Sequence, residues 1–284
     1  MDKVKFLSAG AILTVILVTL FGCTSPDEPP QSQADAWDLA AIRFDASLLS
    51  GETTRIAIID SGTNLPEQIT DGINALDDSN DIKDNIGHGT QITSKLFELC
   101  PFAEIVMIKV VDKTAELSPD ILAKGIDRAV QEGCQVINLS LGSVTYSNEV
   151  EQAVARAVDA GVILVASAGN GGQNELYYPA ALDGVFSVMA RDKSNVDLPS
   201  SNRSSLKKSF SAPGDNICIQ GVNTGGTSIA AVYVSAVAAK MKSVAPFATA
   251  DEIQQALMKT CRFGTEYSYG MIDVFASVDL IQRI

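Results

Sequence analysis

The chain has 284 residues, 46% of them hydrophobic, with a formal net charge of −13 at neutral pH. Length and apolar content fit one well-packed domain and leave little for a second. The acidity speaks against nucleic acid and against an electrostatic hold on anionic lipid, and a single histidine excludes a His-rich metal site.

Taken in chain order, residues 1–22 come first. Lys3 and Lys5 precede an apolar run over 9–21 that closes on Gly22-Cys23. A basic start, a short apolar core and a small residue at the cut predict a secretory signal peptide, and the run is too short to span a bilayer as a helix. Leu20-Phe21-Gly22-Cys23 resembles the lipobox of bacterial lipoproteins, with a bulky Phe21 as its departure. The resemblance implies a lipid on Cys23 and a membrane partner through it; an ordinary signal peptide with a stray cysteine is the alternative. Residues 23–36, rich in Pro, Ser and Gln, then form a tether, and residues 37–284 the folded domain. The other cysteines are Cys100, Cys134, Cys218 and Cys261. In an exported chain they permit one or two disulfides, with three complete pairings open. Their spacing fits no zinc pattern.

Apolar runs at 56–59, 105–111, 136–139 and 162–165 lack alternation, which predicts strands buried on both faces. Helices fit between them. Ser118-Pro119 is a cap with proline at the first helical position, ahead of a stripe of Ile121, Leu122, Gly125, Ile126, Ala129 and Val130. Asn148 with Glu151 reads as a capping-box variant, ahead of Val150, Val154, Ala157 and Val158. Apolar segments at 185–189 and 217–219 follow, then helices over about 228–242, 249–260 and from 273. The succession predicts an α/β fold with a mostly parallel sheet and right-handed crossovers.

On this map Asp60, Ser140 and Asn170 each sit just past the C-terminal end of a buried strand, the edge where open α/β sheets bind ligands. Each chemistry-bearing residue has a plain reading beside it. Asp60 in "AIIDSG" could start an Asx-turn or be a buried carboxylate that orients an imidazole. His88 in "GHGT" could be a satisfied loop histidine. Thr90 and Gln91 predict a helix start beside it, whose dipole disfavours the protonated ring and suits a base. The flanking glycines allow another chain to approach. Ser228 in "GGTSIAA" could be a helix N-cap or a nucleophile whose own N–H faces a developing oxyanion, with Gly225 and Gly226 clearing room for a carbonyl. A phosphate loop lacks its lysine. Asn170 in "SAGNGG" could be a turn residue or a side-chain oxyanion donor.

A serine hydroxyl needs a base, the base needs a partner for its other nitrogen, and the intermediate needs donors. "RIAIIDSG", "GHGT", "VINLSLG", "VASAGN", "GGTSIAA" and "YGMIDVFASV" together resemble the motifs of the subtilases, subtilisin-like serine peptidases, from about Trp37 to the end. The order Asp, His, Ser is that family's own. The resemblance implies a three-layer subtilisin-like fold and a peptide or protein substrate. It makes Asp60, His88 and Ser228 a catalytic triad and Asn170 an oxyanion residue. Ser140, Leu141 and Gly142 would pair with an extended peptide, while Ala168 and Gly169 would line the first specificity pocket. No cofactor or metal is called for, and a monomer is expected.

The departures are informative. Val232 stands where the serine motif usually has proline, and Tyr233 follows it; a local adjustment without loss of activity is expected. The segment between His88 and Ile105 is too short for the family's strong calcium site. "DDSNDIKDN" (77–85) lacks the glycine and terminal glutamate of an EF-hand loop and reads as a solvated loop. No folding prodomain fits between Cys23 and Trp37, so unaided folding is expected, with the cysteines standing in for calcium. The functional expectation is an endopeptidase anchored on the outer face of a bacterial membrane, either a dedicated processing enzyme or a surface scavenger. A catalytically silent peptide-binding lipoprotein and a hydrolase of small esters are the competing readings.

Overall fold

The computed structural model describes residues 36–45, 52–114 and 116–283. The signal peptide, Cys23 and tether residues 23–35 lie outside the described residues. Among those described, no helix is long and apolar enough to cross a membrane.

A short helix, α1 (Trp37–Ala41), precedes the central strand β1 (Arg55–Asp60). Then come β2 (Asp71–Asn74), α2 (His88–Leu99), β3 (Glu104–Lys109), α3 (Pro119–Gln131), β4 (Val136–Leu139), α4 (Asn148–Asp159), β5 (Ile163–Ser167), β6 (Val185–Arg191) and β7 (Ser209–Pro213). The chain continues through β8 (Ile217–Ile219), β9 (Val222–Thr224), α5 (Thr227–Val244), α6 (Ala250–Thr260), β10 (Ser268–Met271) and α7 (Val274–Ile281). Eight strands form one sheet in the order β10-β7-β6-β5-β4-β1-β3-β2, parallel at every pairing.

The strands read as unbroken apolar runs because both sheet faces are covered. In β1, Ile56 and Ile58 pack with α2, α5, α6 and α7, while Ala57 and Ile59 pack with α3 and α4, as a period of two requires. Helix α5 is apolar all round because it is buried nearly throughout, from Thr227 to Met241. Val232 is fully buried within it, and the helix runs on unbroken past the position where proline was expected.

Several expectations need correction. Cys100, Cys134, Cys218 and Cys261 are free thiols. Cys100 and Cys134 belong to the cores on opposite faces of the sheet, and no disulfide reaches across it. Burial pushes the Cys134 and Cys261 thiols up to about 12 and Cys100 up as well, and without a crosslink the four do not brace the fold in place of calcium. The cap of α4 is Ser147, whose hydroxyl accepts from Val150 N, because Asn148 is already helical. Val158 is exposed, at the edge of its stripe. Residues 217–219 pair with β9 in a separate antiparallel ribbon. Strands β7 and β10 escape an apolar-run search because they carry buried serines. Ser211 and Ser268 hydroxyls pair at 2.6 Å, and Ser187 and Ser209 at 3.0 Å, so polar side chains satisfy one another inside the sheet.

Candidate active site

The C-terminal ends of three adjacent strands, β1, β4 and β5, deliver Asp60, Ser140 and Asn170 to one edge. The helices lying over them, α2 and α5, begin at that edge and deliver His88 and Ser228 in their first turns. Helix α2 starts at His88, two residues before the expected Thr90. Gly87 before it has φ +95°, the left-handed conformation that turns the loop into the helix.

Asp60 is buried, and its carboxylate receives His88 Nδ1 at 2.9 Å to Oδ1 and 3.0 Å to Oδ2. Ser61 N donates to the same Oδ1 at 2.7 Å. This fixes the tautomer: Nδ1 carries the proton toward Asp60, and Nε2 keeps its lone pair. Burial pulls the imidazole pKa down. The Asp60 charge and hydrogen bond, with the Asp84 charge behind them, outweigh it and hold His88 above the ordinary histidine range. The expected dipole effect is therefore overridden by two carboxylates.

Asp84 was read as part of a solvated loop. It is instead buried, though most of its neighbours from 77 to 83 are exposed. Its Oδ1 accepts from Ile86 N, Gly87 N and Ser61 Oγ, and its Oδ2 from Thr90 N and Thr90 Oγ1, all at 2.7–3.0 Å. These bonds hold the Asp84 carboxyl below the usual range despite burial, which acts the other way. Ser61 Oγ lies between the two acids, 3.2 Å from Asp60 Oδ1. The sequence signal was its place four residues before the lone histidine.

Gly89, Gly225 and Gly226 serve internal packing, whereas Gly87 faces open space and serves the turn. A Cβ on Gly89 would fall 2.1 Å from the Gly62 carbonyl, so the chain that approaches His88 there is the turn after β1. A Cβ on Gly225 would fall 2.6 Å from the Gly214 carbonyl. One on Gly226 would press against the Asn170 amide.

Ser228 Oγ donates to the Ser140 carbonyl at 3.0 Å, and Ser140 Oγ donates back to the Ser228 carbonyl at 2.8 Å. Buried Asn138 and Ser235 support this pair: Asn138 Nδ2 donates to Ser140 Oγ and Ser235 Oγ to Asn138 Oδ1. His88 Nε2 makes no hydrogen bond among the described residues, so the structure brings His88 and Asp60 into contact and leaves Ser228 parked on β4. Asn170 Oδ1 accepts from Thr227 N at 2.9 Å and Thr227 Oγ1 at 3.0 Å. Gly169, at φ +106°, takes Thr227 Oγ1 on its N–H, and Ala168 is fully buried. The β4–β5 ladder stops at Leu139 and Ala166, and Leu141 and Gly142 follow beyond its end, with Ser143 bridged to Tyr178. Among the described residues, no cluster of His, Cys, Asp or Glu could hold a metal ion.

The Subtilase family profile matches residues 51–271. A thermostable alkaline protease of Halalkalibacterium halodurans is 32% identical over 259 residues, covering 84% of this chain and 72% of that protein. The patellamide maturation protease PatA superposes with a TM-score of 0.71 at 26% identity, covering 82% of this chain and 98% of that one. A lanthipeptide protease superposes with a TM-score of 0.77 at 24% identity, covering 86% and 94%.

Proposed function

The chain belongs to the subtilase family and is a serine-type endopeptidase, and on that premise we propose that Asp60, His88 and Ser228 are its triad and Asn170 its oxyanion donor. The observation that carries this is the Asp60–His88 pair at the sheet edge where α5 presents Ser228. Ser228 Oγ leaves the Ser140 carbonyl, gives its proton to His88 Nε2 and attacks the scissile carbonyl. Asn170 Nδ2 and the Ser228 N–H receive the oxyanion. The vacated Ser140 carbonyl accepts a substrate amide, and Leu141 and Gly142, past the end of β4, pair with the peptide. Ala168 and Gly169 face the residue before the cut. His88 protonates the leaving amine, and water hydrolyses the acyl-enzyme.

A dedicated processing role is supported by the likeness to PatA, named as a maturation protease. Export and a lipid on Cys23 complete the reading; Cys23→Ser should move the protein from the membrane fraction to the soluble one, and unchanged fractionation would remove the anchor. For the chemistry, the full chain is reacted with a fluorophosphonate and its intact mass read beside Ser228→Ala and His88→Ala. One adduct on the wild type, absent from both variants, supports the triad. No adduct on folded wild type would put the peptide-binding reading first.

A further inference from the structure

Tyr177 stands between the two segments assigned above to the substrate. Its N–H donates to the Ala168 carbonyl at 3.0 Å, which ties its backbone to the end of β5. From there the side chain crosses the crevice between the ends of β4 and β5. Its Cβ lies 3.3 Å from where a Cβ on Gly142 would stand. Its ring carbons lie 2.7 Å from the corresponding point on Gly169, and its hydroxyl 2.6 Å from that on Gly171. Three glycines from two separate segments thus lack side chains at the points where one tyrosine side chain passes. Tyr177 is 7% exposed.

The loop that carries it is anchored on both sides. Ser143 and Tyr178 exchange main-chain hydrogen bonds at 2.8 and 2.9 Å, and the Tyr178 carbonyl also closes over Gly142. The half-buried Lys207 ammonium donates to the Ala180 and Leu182 carbonyls just beyond. A ring gripped at this many points is a fixed wall, because swinging it out would expose the aromatic face and leave a void behind.

We infer that Tyr177 fills the first specificity pocket, so that this enzyme cuts after glycine, alanine or serine and rejects large residues there. The inference rests on the proposed substrate-binding role of Ser140–Gly142 and Ala168–Gly169 and adds a specificity-determining residue to it. The physical reason is volume: the space between the strand ends holds one aromatic ring, and the enzyme supplies that ring itself.

The test is the full chain on a peptide series varied only at the residue before the cut, with kcat/KM read for Gly, Ala, Ser, Leu, Phe and Tyr. Wild type should favour the three small residues by at least about tenfold, the scale at which a pocket discriminates by size. Tyr177→Ala should raise cleavage after Leu and Phe by about tenfold or more, and Tyr177→Phe should keep the wild-type profile. If Tyr177→Ala fails to fold, the wild type and Tyr177→Phe still decide. Wild type cutting after Phe or Leu as fast as after Ala would overturn the inference and leave the peptidase reading standing. Folded wild type that cuts no peptide and takes no fluorophosphonate would overturn both.

Discussion

Two buried carboxylates in this molecule each hold a basic side chain of α2, with opposite results. Asp60 meets His88 in the first turn of α2, at the sheet edge where α5 starts with Ser228. Asp38, on α1, receives Lys95 Nζ at 2.8 Å, two turns further along α2, and the hydroxyl of Tyr233, further along α5. Lys95 also lies over the Tyr233 ring at 5.2 Å and reaches Glu98 at 3.2 Å. In this deep cluster Asp38 Oδ2 takes both Lys95 Nζ and the Tyr233 hydroxyl, so the buried cation and the buried anion are paired. Burial works against the Asp38 charge, but Lys95 and Tyr233 outweigh it and hold the carboxyl below its ordinary range; burial and Asp38 push Tyr233 well above its own. At the sheet edge the pairing is incomplete by comparison. His88 Nε2 is unbonded and Ser228 Oγ rests on a carbonyl it can leave. Full satisfaction makes a clamp, and one unmade bond makes a reaction centre.

The largest predicted effect breaks the reaction centre alone. Ser228→Ala or His88→Ala should lower kcat on the order of 10⁶-fold, the scale established for subtilisin, a member of this same family. Thermal stability should stay within about 1 kcal/mol for Ser228→Ala, while His88→Ala also takes the donor from buried Asp60 and should cost about 1–3 kcal/mol. A melting curve beside the kinetics separates the two quantities.

The clamp should answer in the opposite way. Lys95→Ala leaves Asp38 buried without its cation and should cost about 3–5 kcal/mol of stability, with kcat unchanged wherever the protein is folded. Replacing the whole cluster by Asp38→Leu, Lys95→Met and Tyr233→Phe should recover most of that loss. The carboxyl is held below its usual range, so its stabilisation is present at neutral pH and fades as pH falls through the folded value. A Lys95→Ala enzyme that lost turnover while keeping its denaturant midpoint would mean that the clamp acts on the catalytic helices directly, and the comparison would fail.

Asn170→Leu comes next. It keeps volume but removes the proposed oxyanion donor, and should lower kcat by about 10²–10³ with little change in KM; that range was also measured on a subtilisin. Because Asn170 also holds Thr227, a rise in KM of similar size would instead assign it to positioning α5.

How far the sequence revealed these two regions follows from what each is made of. The parallel sheet was legible because fully buried strands such as 136–139 leave apolar runs, and the edge was legible because Asp60, Ser140 and Asn170 stop those runs. The clamp was not. Asp38 and Lys95 look like ordinary surface charges and Tyr233 like one more member of a buried helix, and only the fold brings residues 57 and 195 positions apart into one cluster. Asp84 was hidden in a run of exposed acids, its burial set by five donors that the sequence does not line up. The free cysteines went unread for the same reason: spacing along the chain says nothing about which face of the sheet a thiol occupies.

Asp84 also supplies the smallest and most discriminating test. Its charge helps to hold His88 above the ordinary histidine range, after Asp60. A base acts only when neutral, so the acidic limb of kcat/KM in the wild type should lie above that of an unperturbed histidine. Asp84→Asn removes one negative charge, makes the imidazolium less favourable, and should move that limb to lower pH with a plateau kcat within about tenfold of wild type. Stability should fall by about 1–3 kcal/mol, because the amide cannot accept from all five donors. The pH signs differ for the two groups. His88 is raised, so its contribution to stability is present below its unfolded pKa and is lost as pH rises through the folded one. Asp84 is lowered, so its contribution is present at neutral pH and is lost as pH falls. The variant should therefore lose most of its stability difference from wild type in strong acid. A limb that stays in place while kcat drops would make Asp84 a scaffold for the histidine loop, as closed in function as the clamp at Asp38.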